Sequence, residues 1–173
     1  AYNAYTRAVE LQLEERYAEL VPIMERLVEL SPESDDFHTT LGVAYLETGR
    51  AADSEKAFAA SLRNAPDNPR LLWRMADALY RQNKLDQAAA HLEAAIQLDP
   101  NLAAASALLG DIFEKNGQLP QAIEHYKKAV AAEPDLARTS AWTTSGSRAL
   151  PPAATRSRAA TKSARSSTRS LRR

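Results

Sequence analysis

The sequence predicts an all-α fold. A superhelical solenoid of about four helix-turn-helix hairpins occupies residues 1–136, and a disordered basic tail occupies 137–173. Three observations lead there. Pro32, Pro66, Pro100 and Pro134 stand 34 residues apart, each in a turn-like string such as Pro66-Asp67-Asn68-Pro69. A fixed period of that length marks a repeat array. Counting each of these prolines as position 32 gives repeats 1–34, 35–68, 69–102 and 103–136, and position 15 is then Gly49, Asn83 and Gly117 in the last three. Gly and Asn tolerate the left-handed conformation that ends a helix, so each repeat divides into helix, turn and helix. Within each helix, apolar residues recur at spacings of three, four and seven, as a buried helical face requires.

The register extends through the repeats. Position 8 is Ala8, Gly42, Ala76 and Gly110; position 20 is Leu20, Ser54, Ala88 and Ala122; position 27 is Leu27, Ser61, Ala95 and Ala129. Apart from Leu20 and Leu27 these are small, as two closely approaching backbones need. Position 11 is bulky (Leu11, Tyr45, Leu79, Phe113), as is position 24 (Met24, Phe58, Leu92, Tyr126). This pattern resembles the tetratricopeptide repeat over residues 1–136. The resemblance implies a right-handed superhelix whose first helices line a concave groove for an extended or helical peptide.

The repeats fit to different degrees. Repeat one departs most: Arg7 replaces the usual apolar residue, and Leu20 and Leu27 replace small ones. It reads as an atypical end repeat or as a plain helix pair with wider spacing. Pro22, inside its second helix, predicts a bend or a late start. Repeat four fits best, and its Pro120 falls in a first turn, where the missing N–H is harmless. Its last helix carries Ile123, Tyr126 and Val130 with no amphipathic cap after it. That face is expected to be open or covered by another chain.

By the resemblance, positions 2, 5, 6, 9, 12 and 13 of each first helix face the groove. Repeat one presents Tyr5, Val9 and Leu13 there; repeat two presents Val43 and Leu46; repeat four presents Leu108. Repeat three stands out, with Arg70, Trp73, Arg74, Asp77, Tyr80 and Arg81. Trp, Tyr and Arg are the types most often found as binding hot spots. These six, with Val43, Leu46 and Leu108, are the candidate partner-binding residues. Trp73 is read as a groove residue in preference to a core one. The clamp by which some relatives hold chaperone C-termini is incomplete, since only Arg70 and Arg74 match its character, so chaperone binding is not carried over. That pair can still grip one carboxylate by forked hydrogen bonds; the alternative is two solvated arginines paired with nearby acids.

Little points to catalysis. There is no Cys, no Gly-rich phosphate loop and no Gly-x-Ser-x-Gly elbow. His91 and His125 share position 23 in adjacent repeats but lack a third ligand at metal spacing, and read as surface histidines. Pairs such as Glu14-Glu15 and Asp35-Asp36 sit at helix ends or turns. No enzyme activity, cofactor, metal or small-molecule substrate is expected.

The formal charge of zero hides an asymmetry. The tail holds eight Arg and one Lys with no acid, leaving the body 13 basic against 22 acidic residues. The tail reads as a shifted reading frame, ahead of a basic arm for nucleic acid or an anionic surface, or a linker. No run of apolar residues is long enough for a membrane span. The expected function is a protein-interaction scaffold, such as a subunit of a bacterial assembly, binding a peptide or subunit, in an oligomer or hetero-complex. One alternative is a regulatory or substrate-presenting module of a larger enzyme; the other is nucleic-acid binding through the tail. The compartment, cytoplasmic or periplasmic, stays open.

Overall fold

Short capping and turn signals cut the chain into eight helices within residues 2–133, the residues that the computed structural model describes. In order they are α1 (Tyr2–Leu13), α2 (Tyr17–Leu30), α3 (Asp35–Glu47), α4 (Ala51–Leu62), α5 (Pro69–Arg81), α6 (Leu85–Leu98), α7 (Ala103–Lys115) and α8 (Leu119–Ala132). They pair as the hairpins α1–α2, α3–α4, α5–α6 and α7–α8, with no strand among the described residues. The expected break at Pro134 and the tail over 137–173 lie outside these residues.

The helix starts follow from their sequences. Ser34 caps α3 by accepting the Phe37 N–H at 3.4 Å. Asn68 caps α5 by accepting the N–H groups of Arg70 and Leu71 at 3.1 and 3.2 Å, and Pro69 opens that helix with a preset φ. Inside each hairpin one residue turns left-handed: Glu15 (φ 57°), Gly49 (79°), Asn83 (61°) and Gly117 (73°). The next N–H then reaches back five residues, as in Arg16 to the Leu11 carbonyl (2.9 Å) and Arg50 to the Tyr45 carbonyl (2.7 Å). This double closure satisfies carbonyls that a helix end leaves open. Pro22 gives no late start: α2 begins at Tyr17, five residues ahead of it. Pro22 and Ala18 both face solvent, so water can meet the Ala18 carbonyl that loses its donor.

The small positions are where the paired helices meet. Ser54, Ala88 and Ala95 are fully buried, and Ser61 and Ala122 nearly so. Ser54 donates to the Gly42 carbonyl at 2.7 Å, and Ser61 lies 2.9 Å from the Thr39 hydroxyl, so neither buried hydroxyl is left without a partner. Positions 8 and 24 are matched in size. A Cβ on Gly42 would stand 2.5 Å from the Phe58 ring, and one on Gly110 would stand 2.6 Å from the Tyr126 ring. Where position 24 is Met24 or Leu92, position 8 is Ala8 or Ala76, and both alanines are buried.

Successive hairpins join through a stripe at positions 3, 7, 10 and 14 of each first helix. Phe37, Leu41 and Ala44 pack with repeat-one residues. Leu71, Met75 and Ala78, then Ala105, Leu109 and Ile112, belong to the larger core that joins repeats two to four. Gln82, at position 14, donates to the Ala51 carbonyl (3.2 Å) and to Glu55 (2.8 Å) of the preceding hairpin. In repeat one this stripe reads Asn3, Arg7 and Glu10 on α1 and Glu14 just after it, with Arg7 and Glu10 paired at 3.0 Å. Repeat one therefore turns a polar face where the later repeats turn an apolar seam.

The first helices form the inner layer. α5 touches both α3 and α7, whereas no Cα of α4 comes within 8 Å of α2 or α6. The array thus bends toward the first-helix side. At its start the spacing widens, since no Cα of α1 lies within 8 Å of α3.

Candidate partner-binding surface

The candidate residues of repeat three line α5 on this inner side, but their environments differ. Arg70 is exposed and Arg74 is half-buried. Neither guanidinium makes an ion pair within 4.0 Å among the described residues. The Arg74 guanidinium lies over the Trp73 ring, 4.6 Å from its centroid. Burial pushes the Arg74 pKa below its ordinary value, against the pull of Asp77, Glu47 and Tyr17. Arg81 is the paired one. It forks onto Asp77 through two bonds of 3.2 Å and donates to the Leu46 carbonyl at 3.3 Å.

Trp73 is partly buried and packs against the main core while carrying Arg74 on its ring, so it belongs to both surfaces between which the sequence reading chose. Tyr80 is a core residue, 8% exposed, with Lys115 lying 3.9 Å above its ring. Leu46 corrects the sequence reading outright: it is 0% exposed. Position 12 lies where the inner stripe meets the seam between repeats, and an aliphatic side chain there turns into the core. Val43 and Leu108 are half-buried against the same core.

The most open apolar surface on this side belongs to repeat one. Tyr5, Val9 and Leu13, spaced one turn apart on α1, are 52%, 39% and 80% exposed. Because α1 stands off from α3, a cleft of about 200 Å³ opens between them. Its walls include Tyr5, Val9, Gln12, Asp36, Phe37 and Thr40. Tyr5 leans on Phe37 at 6.1 Å between ring centroids. The sequence placed Tyr5, Val9 and Leu13 in the groove but ranked them below repeat three. The signal that raises them is three consecutive apolar groove positions on one helix.

His91 and His125 are half-buried, not surface histidines. His125 stacks on Phe113 at 5.3 Å, and its buried Nδ1 has no hydrogen-bond partner among the described residues. Burial lowers the pKa of both. Among the described residues no cluster of three or more His, Asp or Glu is arranged to hold a metal, and no helix is long and apolar enough to cross a membrane.

Comparison with known proteins agrees with this architecture. Two models of the tetratricopeptide repeat match the sequence, one over residues 11–76 and one over residues 74–137. No curated protein matches it. Among solved structures, MamA from Desulfovibrio magneticus RS-1 superimposes with a TM-score of 0.71 at 19% identity, over 76% of this chain and 75% of that one. A crystal structure of MamA gives 0.69 at 18% identity, over 76% and 77%. At such identity the likeness is one of fold.

Proposed function

The chain belongs to the tetratricopeptide repeat family, and on that footing we propose that it is a scaffold holding a partner protein along the inner face of its first helices. The observation that carries this reading is Arg74. A guanidinium taken partly out of water with no acid in ion-pair contact is costly, and a ligand carboxylate would add to the pull of Asp77 and Glu47 and offset that cost. Arg70 adds a second unpaired charge one turn away, and Trp73 supplies a flat apolar surface beside it. Val43 and Leu108, half-buried on the neighbouring first helices, add apolar surface, while Tyr80 is buried and Asp77 is held by Arg81. A segment with an apolar anchor and acidic character suits such a surface, the aromatic giving desolvation and the arginines selecting sign.

A panel of peptides, each with one aromatic or leucine anchor and either acidic or basic flanks, tests the reading by fluorescence anisotropy. Acidic members should bind. Trp73→Ala should weaken them by more than ~1 kcal/mol, roughly five-fold, while far-ultraviolet circular dichroism stays helical. Preference for basic members, or unchanged binding in the folded variant, would place the partner elsewhere.

A further inference from the structure

The second helices α2, α4 and α6 each have an outer face covered by the first helix of the next repeat. Among the described residues no helix covers the same face of α8. Ile123 and Val130 are 53% and 43% exposed, and with Tyr126, Lys127 and Ala131 they line a hollow of about 340 Å³. The counterparts of Val130 at position 28, Leu62 and Ile96, pack against the core. The three internal seams therefore describe what fits here: a helix with apolar residues at i, i+4 and i+7, as in Leu71, Met75 and Ala78.

Two occupants lack that pattern. In a second copy, the helices carrying it are already engaged, and repeat one offers only Asn3, Arg7, Glu10 and Glu14. The residues after α8, placed in the same register, are Thr139, Thr143 and Gly146. Charge narrows the choice further. At position 25 of repeat one, Glu25 accepts the Tyr45 hydroxyl at 2.7 Å and meets Arg50 at 3.4 Å. In repeat four position 25 is Lys127, which has no ion pair among the described residues. A helix docking on α8 thus meets a cation where the first seam has a carboxylate. Tyr45 lies eight residues beyond Phe37 in its seam, so the matching position in an incoming helix is i+8.

We infer that the outer face of α8 docks an amphipathic helix of a separate partner protein, with apolar residues at i, i+4 and i+7 and a carboxylate at i+8. The interface continues the three seams inside the array and is distinct from the inner face proposed above.

The probe is a synthetic peptide of this chain's residues 102–116, whose seam residues are Ala105, Leu109 and Ile112. One version carries Phe113→Glu at i+8 and a second carries Phe113→Lys. Titrated into the full chain, the Glu version should bind and the Lys version should bind roughly two- to five-fold more weakly, the yield of an exposed ion pair. Lys127→Glu in the protein should reverse that order. Ile123→Glu, at an exposed site that leaves the fold intact, should abolish both. Binding indifferent to Ile123, or no saturation by either peptide at millimolar concentration, overturns the proposal. Self-association in sedimentation that disappears in Ile123→Glu also overturns it, because a second copy then covers the face.

Discussion

Gly42 and Gly110 are glycines for a local reason. Each faces an aromatic ring at position 24, whereas the alanines Ala8 and Ala76 face Met24 and Leu92. In a helix interior Ala is normally worth up to about 1 kcal/mol over Gly. Here the added methyl would stand 2.5 Å from Phe58, which is fully buried and has nowhere to go. Gly42→Ala is therefore expected to lower stability by ~1–3 kcal/mol in denaturant melts, despite the better propensity. Adding Phe58→Leu should recover part of that loss, so that the two changes are non-additive. Additivity would mean that the ring and the glycine are independent. Glu15 makes the opposite case. It holds the left-handed turn that Gly or Asn holds in the other repeats, at a cost of roughly 1–2 kcal/mol per residue. Glu15 is exposed, so Glu15→Gly loses no packing and should raise stability by ~0.5–1 kcal/mol after the added freedom of the unfolded chain. A fall in melting temperature would contradict the strain argument. These two cases mark what a sequence makes legible. Gly49, Asn83 and Gly117 declare their backbone conformation by residue type, while Glu15 carries no such mark and its φ follows from its place in the repeat.

The hairpin is the unit on which the small positions act. Ala88 has no exposed surface, and Ala88→Leu should overpack the α5–α6 contact by ~1–3 kcal/mol. A neutral thermal melt would show that the contact gives way. The α7–α8 hairpin adds a pH dependence. His125 is stacked on Phe113, and burial lowers its pKa in the folded state. Between that value and the unfolded one near 6.5, the unfolded chain binds more protons, so stability rises with pH. The contribution is complete above about pH 6.5 and is lost as pH falls toward the folded pKa. His91, shifted the same way by burial, adds to it. His125→Leu should flatten the fall in melting temperature between roughly pH 7 and 5; an unchanged slope would assign it to other groups. At this scale the sequence located the helices well, because the prolines, glycines and periodic faces all state local demands. It read His125 as surface because burial there depends on Phe113, a residue on the other helix of the hairpin.

Across the whole array, the candidate site was legible as a list of positions and less so as an order of importance. Trp73, Arg70 and Arg74 stood out by type. That Arg74 makes no ion pair among the described residues depends on Asp77 forking onto Arg81, which no spacing rule decides. Leu46 belongs to the core because α5 and α3 approach closely, while Tyr5, Val9 and Leu13 lie open because α1 and α3 do not. That last separation reaches beyond binding. Inner repeats are gripped on two sides, but among the described residues the α1 backbone comes close only to that of α2, with Tyr5 reaching Phe37 of α3 through its ring. Its amides should therefore exchange with deuterium sooner than those of α3, α5 and α7, the opening of one end costing less than the opening of the middle. A ligand wedged between α1 and α3 would fasten that loose end, and its arrival would register as slowed exchange along α1, a clock for occupancy that needs no label on the ligand.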